Sequence, residues 1–131
     1  MLSHVTIGTN DLERAKAFYD AVIATLGIDC IAHEPDHGLV GYAEGPETVP
    51  QIYLTRPIDS RPASVGNGQT FAFVAPDRAT VRAFHAAALA AGGTCEGPPG
   101  LRPHYHPDFY GAYLRDPDGH KIACVCHLPE T

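Results

Sequence analysis

Residues 4–8 alternate between polar and apolar side chains, a pattern that predicts a half-buried strand. Asn10 and Glu13, three residues apart, are typical of a capping box at a helix start. Apolar residues then recur at helical spacing, at Leu12, Ala15, Phe18, Tyr19, Val22, Ile23 and Leu26. Gly27 suits a left-handed helix end. The first unit is therefore a strand followed by an amphipathic helix.

Short runs of strand-forming residues follow, separated by Pro and Gly residues. They predict strands at 29–33, 39–43 and 51–55. The next stretch, 57–68, is rich in Pro, Ser, Gly and Asn and has the composition of a linker.

The same order of elements then begins again. A strand at 70–74 precedes a helix that starts near Asp77 and ends at Gly92 and Gly93. The apolar stripe of this helix is formed by Val81, Phe84, Ala88 and Ala91. A strand near 94–96 follows the helix.

The chain ends with a Pro- and Gly-rich loop and two strands, at 110–115 and 120–126. Between the strands, Pro117 and Gly119 suit a type I turn with a glycine bulge. Asp116 and Asp118 are most simply residues of this turn.

An internal repeat is the most informative feature of the sequence. A shift of 66 residues aligns Val5 with Phe71, Ile7 with Phe73, Asp11 with Asp77, Ala17 with Ala83, Phe18 with Phe84, Ala21 with Ala87 and Gly27 with Gly93. We therefore expect one domain over residues 1–131. It contains a first module at about 1–56, the linker, and a second module at about 69–131.

Alternation along each strand assigns the side chains to two faces. In the last strand, Ile122, Cys124 and Cys126 form the apolar set that packs under a helix, and Lys121, Ala123 and Val125 form the other set. In the first strand, His4 and Thr6 face away from the helix. If the two sheets turn their more polar faces toward each other, they form a half-open barrel around a cleft, which is the usual setting for a small-molecule site.

Composition narrows the class of protein. The 131 residues are 44% hydrophobic and only 18% charged, which favours a packed core over disorder. The net charge of −6 excludes the broad basic surface of a nucleic-acid-binding protein. No apolar run approaches membrane-spanning length, and the N-terminus does not resemble a secretory signal, so we expect a cytoplasmic protein without a membrane partner.

The four cysteines do not form a redox or zinc motif. Cys124 and Cys126 are two residues apart, which places both on one face of a strand as small hydrophobic residues. We expect them to be reduced and buried.

The sequence resembles the vicinal oxygen chelate superfamily, which includes glyoxalase I, bleomycin-resistance proteins and extradiol dioxygenases. The resemblance rests on four features: the internal repeat, residues 4–7 with Asp11-Leu12 and Phe18-Tyr19, residues 84–88, and residues 116–122, which read Asp-Pro-Asp-Gly-His-Lys-Ile. The last segment is the most specific. Residues 100–107 also resemble a bacterial glyoxalase-like subgroup. The resemblance implies an α+β fold of two βαβββ modules around a cleft, where many members bind a divalent metal.

The family's four metal-binding positions can be carried over residue by residue. The first falls on His4, its repeat partner on Thr70, the final-hairpin position on Ala123, and the remaining one on Tyr53. Alanine provides no ligand and a neutral threonine hydroxyl is a poor one, whereas a catalytic divalent site needs about three good donors. The resemblance therefore implies an incomplete set for Zn, Ni, Mn or Fe, with His4 as a remnant metal ligand or general base. Alternatively, His4 is hydrogen-bonded on a strand face.

His104 and His106 are the candidate catalytic residues. They are one residue apart, so both rings would share a face if the segment were extended, together with Asp108. Residues 97–111 contain four prolines and three glycines and are expected to form a rigid flap over the cleft. The alternative is a surface loop packed by its own aromatic residues.

Four further residues are candidates for ligand contact: Tyr53, Thr70, Tyr113 and Ala123. Tyr53 and Tyr113 could reach a ligand through their hydroxyls, although packing is the commoner role of a half-buried strand tyrosine. Arg102 and Lys121 could neutralise an anionic substrate or remain solvated charges. His33, His37, His85 and His127 are assigned no function.

Three hypotheses follow. The first is a glyoxalase-like lyase, isomerase or dioxygenase with an altered metal site. The second is a metal-free protein that binds a small molecule, as antibiotic-binding resistance proteins of the family do. The third is a metal-independent enzyme that uses His104 or His106 for acid–base chemistry. The resemblance also implies a homodimer.

Overall fold

The computed structural model describes residues 1–130. In chain order the elements are β1 (His4–Gly8), α1 (Leu12–Ala24), β2 (Asp29–Glu34), a 3-10 turn (Pro35–His37), β3 (Leu39–Ala43), β4 (Gln51–Thr55), β5 (Phe71–Val74), α2 (Arg78–Ala90), β6 (Thr94–Leu101), β7 (Tyr110–Arg115) and β8 (Lys121–Cys126). Within residues 1–130, neither helix has the length and apolar character needed to cross a membrane.

The strands form two four-stranded sheets with the same order. The first sheet is β1-β4-β3-β2 and the second is β5-β8-β7-β6. In each sheet the strand before the helix pairs in parallel with the last strand of its module, and the remaining pairs are antiparallel. This identical topology gives an α+β fold of two βαβββ modules, as the repeat predicts. The sheets remain separate and do not close into a barrel.

Both helices begin at an aspartate. The Asp11 carboxylate accepts a hydrogen bond from the backbone N–H of Arg14 (3.0 Å), and Asp77 accepts one from the N–H of Thr80 (2.7 Å). The prediction of Asn10 as the helix cap was therefore one residue early. The Asn10 side chain instead exchanges two hydrogen bonds with the backbone of Ala63, which fastens the segment between the modules.

The core joins the two modules. Each helix covers one face of its own sheet, and α1 and α2 contact each other. The fully buried side chains of this core include Phe18, Val22, Leu54, Phe84, Leu114, Ile122 and Cys124. The two-face assignment of β8 is confirmed, because Ile122, Cys124 and Cys126 belong to the core whereas Lys121, Ala123 and Val125 line a cavity on the opposite face.

Strand β6 extends further than the sequence suggests. It continues through Pro98 and Pro99 to Leu101, and its register with β7 shifts twice on the way. β6 lies at the edge of its sheet, where a residue without a backbone N–H removes no inner hydrogen bond. The expected flap at 97–111 is therefore a two-stranded ribbon at 97–101 and 110–111 that carries a loop at its tip, 102–109.

The turn between β7 and β8 also connects the modules. One oxygen of Asp116 accepts from the Tyr19 hydroxyl of α1 (2.6 Å). One oxygen of Asp118 accepts from the Thr9 hydroxyl (2.6 Å), and the other pairs with the Arg14 guanidinium (3.0 Å). These aspartates are turn residues, as expected, and they also bind the first module.

Candidate functional site

A cavity of about 500 Å³ lies against the face of the second sheet that α2 leaves uncovered. Its lining residues come from β5, β7, β8 and the tip of the β6–β7 ribbon: Thr70, Ala72, Phe73, Val74, Tyr105, Phe109, Tyr113, Lys121, Ala123, Val125 and His127. All of them belong to the second module. Its volume is within the usual range of small-molecule pockets, about 300–1,000 Å³.

Small side chains in the sheet create this space. Ala123 of β8 lies between Ala72 of β5 and Tyr113 of β7 in the strand register. Two neighbouring methyl groups leave room between the larger side chains of Thr70 and Tyr113. The structure therefore brings together three of the predicted ligand-binding residues, Thr70, Tyr113 and Ala123, around one cavity.

The ribbon tip provides an aromatic wall. Tyr105 and Phe109 line the cavity, and their ring centroids are 4.8 Å apart. The backbone N–H of Arg102 donates to the carbonyl of Phe109 (2.8 Å), so the tip is a closed turn. The Arg102 guanidinium donates to the carbonyls of Pro98 and Gly100, both at 2.8 Å. Arg102 therefore holds the ribbon in shape and is not among the side chains that line the cavity.

His106 and His127 form a hydrogen-bonded pair beside this wall. Nε2 of His106 is 2.9 Å from Nδ1 of His127, and the rings stack with centroids 5.1 Å apart. The backbone N–H of Asp108 donates to Nδ1 of His106 (3.1 Å). When both rings are neutral, His106 therefore carries its proton on Nε2 and donates it to His127. His127 then carries its own proton on Nε2, where it can donate to a ligand.

His104 and His106 do not act as a pair. Their rings were predicted to share a face only if the segment is extended. Residues 102–109 form a turn, so this arrangement does not occur. The ring of His104 packs on Tyr105, with centroids 4.2 Å apart, whereas His106 packs on His127. Sequence reasoning missed His127, because its partner lies 21 residues away and no local pattern marks the contact.

Among the described residues, Lys121 is the one Lys or Arg side chain that lines the cavity, and no Asp or Glu lines it. Its Nζ lies 5.3 Å from the centroid of the Tyr113 ring. Burial raises the pKa of the Tyr113 hydroxyl, so the phenol keeps its proton at neutral pH. The cavity therefore has aromatic walls, hydrogen-bond donors and one cationic side chain, that of Lys121.

His4 and Tyr53 lie on the first sheet. Their rings contact edge to face with centroids 5.8 Å apart, and the Ser3 hydroxyl lies 3.0 Å from Nδ1 of His4. The Tyr53 hydroxyl donates to the side-chain carbonyl of Gln51. Neither His4 nor Tyr53 is among the described residues that line the second-sheet cavity. One chain therefore does not bring them to the cavity that holds Thr70 and Ala123.

The donor set does not fit a divalent metal in a single chain. Thr70 and Ala123 supply no strong ligand, and His4 is on a different sheet. Within the described part of the chain, no three His, Cys, Asp or Glu side chains are grouped closely enough to hold an ion. The two nitrogens that meet between His106 and His127 are engaged in their mutual hydrogen bond.

A second, larger groove of about 820 Å³ runs between the modules. It lies between β5 and the apolar end of α1, where Ile23, Leu26 and Phe71 are among the lining residues. Val74 at its β5 side is 73% exposed. Such an apolar groove is more typical of a surface that another polypeptide covers than of a polar ligand site.

Comparison with solved structures identifies the fold and the family. A glyoxalase/bleomycin resistance protein from Albidiferax ferrireducens T118 is 45% identical, with 98% of this chain and 99% of that chain covered and a TM-score of 0.84. A lactoylglutathione lyase from Agrobacterium tumefaciens is 25% identical over 96% and 92% of the two chains, with a TM-score of 0.68. TioX from Micromonospora sp. ML1, 18% identical over 98% and 99%, shares the fold with a TM-score of 0.66.

No curated protein matches the chain. The family model for the Glyoxalase/Bleomycin resistance protein/Dioxygenase superfamily matches residues 1–124, nearly the whole length. The chain therefore belongs to the Glyoxalase/Bleomycin resistance protein/Dioxygenase superfamily.

Proposed function

We propose that this protein binds a small molecule, without a metal ion, in the cavity on the second sheet. The observation that carries the proposal is Ala123, which is fully buried in the cavity wall at the position where the family resemblance places a metal ligand. A methyl group there gives space and an apolar contact in place of a donor. Binding therefore depends on the shape and hydrogen-bond donors of the cavity.

The lining residues are consistent with this function. Tyr105, Phe109 and Tyr113 offer aromatic surface, and Lys121 and Thr70 offer polar contacts. Ligand sites commonly combine predominantly apolar walls with a few polar groups that fix orientation. The predicted contacts Thr70, Tyr113 and Ala123 are part of this proposal.

A screen by thermal shift and isothermal calorimetry tests the proposal. The panel contains neutral, cationic and anionic aromatic compounds together with dicarbonyl compounds, each measured with and without a chelator. We expect at least one class to bind and raise the melting temperature, with an unchanged dissociation constant when the chelator is present. Binding that requires added Zn²⁺, Ni²⁺, Mn²⁺ or Fe²⁺ would contradict a metal-free site.

Filling the cavity provides the matched control. Ala123→Leu adds three carbon atoms to the cavity wall, and Ala86→Leu adds the same atoms on the exposed side of α2. We expect Ala123→Leu to abolish binding and Ala86→Leu to leave the dissociation constant unchanged. Equal binding by both variants would place the site elsewhere.

An acid–base enzyme is a second candidate, and the His106–His127 pair is the observation that favours it. A histidine whose second nitrogen is held by a partner keeps a defined tautomer and can move a proton at the remaining nitrogen. Deuterium exchange into a bound ligand, followed by mass spectrometry, tests this role. Exchange that is lost in His106→Gln while binding persists supports catalysis, and the absence of exchange with wild-type protein contradicts it. The same exchange assay on His104→Gln tests the other candidate, which contacts Tyr105.

We also infer that two copies of the chain pair. β1 and β5 lie at the ends of their sheets, and the large apolar groove runs beside β5. Pairing would cover the exposed Val74 and could bring His4 and Tyr53 of one copy to the cavity of the other. An apolar groove of this size on an isolated chain is otherwise a liability for aggregation.

Analytical ultracentrifugation measures the pairing. We expect a dimer for the wild-type chain and a monomer for Val74→Lys, because the added ammonium would be buried in the interface. Val65→Lys, a substitution in the segment between the modules where Val65 is 42% exposed, serves as the control and should remain dimeric. A monomeric wild-type protein at micromolar concentration would overturn the inference.

A further inference from the structure

We propose that the ligand of the second-sheet cavity is an aromatic carboxylate. Its ring would lie against Tyr105, Phe109 and Tyr113, and its carboxylate would accept a hydrogen bond from Lys121. This inference rests on the proposed binding function and names the chemical class that the cavity selects.

The charge around the cavity favours an anionic ligand. The chain has a net charge of −6, with fifteen Asp and Glu residues against nine Lys and Arg. None of those carboxylates lines the cavity, whereas Lys121 does. The local charge is therefore opposite to that of the whole protein, and an anion is favoured over a cation at this point.

The Lys121 ammonium is available to a ligand. The cation next to it in the turn region, Arg115, pairs with Glu96 at 2.7 Å. No carboxylate within residues 1–130 lies within 4.0 Å of Lys121 Nζ, and its nearest described aromatic neighbour is Tyr113. A ligand carboxylate would give this ammonium the charge-assisted partner that it lacks among residues 1–130.

The direction of the hydrogen bonds around His106 and His127 leaves a donor for the ligand. The backbone N–H of Asp108 fixes the tautomer of His106, and His106 in turn fixes that of His127. The remaining proton of His127 is on Nε2, so this residue offers a donor. With Lys121 also a donor, the two basic side chains of the cavity, at opposite ends of β8, each offer a donor to an acceptor on the ligand.

The aromatic wall of the cavity favours a ligand with an aromatic ring. Four Phe and Tyr residues, Phe73, Tyr105, Phe109 and Tyr113, line a cavity of about 500 Å³. Rings prefer offset or edge-to-face contact with another ring, worth about 0.5–1.5 kcal/mol beyond the buried area. A planar aromatic body with one carboxylate therefore matches both parts of the lining.

A matched ligand series tests the inference by isothermal calorimetry on the full chain. Benzoate, naphthoate and indole carboxylates are compared with the corresponding primary amides and aromatic methylamines, which keep the ring and change the charge. We expect the carboxylates to bind at least tenfold more tightly than the amides and the amines to bind most weakly. The affinity of the carboxylates should fall as ionic strength rises, because the contact is partly exposed to solvent.

Variants identify the groups responsible. We expect Lys121→Gln to weaken carboxylate binding by about tenfold, the scale of one lost charge-assisted hydrogen bond, and to leave amide binding unchanged. Lys121→Arg should keep most of the carboxylate affinity, and Arg61→Gln, which removes an exposed cation between the modules, should keep all of it.

The outcomes separate this inference from the proposed function. If amides or amines bind as tightly as carboxylates and Ala123→Leu abolishes that binding, the cavity is a ligand site but the carboxylate class is wrong. If carboxylates bind equally to wild type and Lys121→Gln, the assigned contact is wrong. If no compound of any charge binds, both the inference and the proposed function fail.

Discussion

The Tyr19 hydroxyl donates a 2.6 Å hydrogen bond to the Asp116 carboxylate, and this contact joins α1 of the first module to the final hairpin of the second. The ring of Tyr19 is 1% exposed and Asp116 is 5% exposed. The other oxygen of Asp116 accepts from the backbone N–H groups of Asp118 and His120. The carboxylate is thus held by groups from both modules.

We expect Tyr19→Phe to destabilise the protein by about 1–3 kcal/mol, because the substitution keeps the ring and leaves a buried carboxylate oxygen without its donor. The free energy of unfolding in urea, followed by far-ultraviolet circular dichroism, measures the effect. Tyr110→Phe removes a hydroxyl that bonds the exposed Arg82 and serves as the control, with an expected loss of about 0.5 kcal/mol or less. Equal stability of Tyr19→Phe and wild type would contradict a role for this bond.

Asp118 provides a second link between the modules, and removing its carboxylate should also lower the free energy of unfolding. Its carboxylate accepts from the Thr9 hydroxyl, the backbone N–H of Asn10 and the Arg14 guanidinium. We expect Asp118→Ala to cost about 1–3 kcal/mol, since the Thr9 hydroxyl is buried and would lose this acceptor. Asp36→Ala in the exposed 3-10 turn is the comparison and should change the urea midpoint little. Similar midpoints for the two variants would rule out the link.

Stability should fall as the pH rises above 10. Burial, with Asp116 adding to it, raises the pKa of Tyr19, and burial with the hydrogen bond to Asp20 raises the pKa of Tyr42. In the folded protein both phenols therefore stay protonated above pH 10, where the unfolded chain releases those protons. The stabilising contribution is complete below the unfolded pKa of about 10 and decreases with increasing pH.

Urea unfolding measured between pH 8 and 11 checks this slope. Tyr42→Phe removes one of the two groups, so its stability should depend less steeply on pH above 10 than that of wild type. An identical slope for the two proteins would show that Tyr42 titrates normally in the folded state.

Two of the four cysteines should react with a thiol reagent in the native protein. Cys30 and Cys95 are exposed, whereas Cys124 and Cys126 are buried. Burial raises the pKa of the Cys124 thiol to about 12, so almost no thiolate exists there at neutral pH. Ellman's reagent should titrate two thiols rapidly in buffer and four in denaturant. Rapid reaction of all four in buffer would mean that the second sheet opens readily.

The internal repeat and the two-residue period of the strands predict much of the fold. The repeat places both helices and their order relative to the strands, because copies of one unit bury the same positions. The alternation in β8 separates Ile122 and Cys124 from Lys121 and Ala123, since a strand under a helix must turn its apolar set inward. The cavity-lining position of Ala123 follows from that alternation.

The features that the sequence does not predict depend on contacts between residues far apart in the chain. Nothing near His127 in the sequence indicates that it meets His106, because the contact forms only when the ribbon tip folds back over β8. The extent of β6 was underestimated because Pro98 and Pro99 interrupt strands in general and are tolerated here by the edge position. The separation of His4 from Ala123 depends on how two sheets are oriented, which no periodicity encodes.

The contacts of the final hairpin with α1 have a consequence for the connection at 56–70. Since Asp116 and Asp118 hold the modules together through side chains, and the helices contact each other, the covalent link is not the sole attachment between the halves. A chain cut by a protease within this connection should stay assembled, and two separately expressed halves should reconstitute by fragment complementation and elute together on gel filtration.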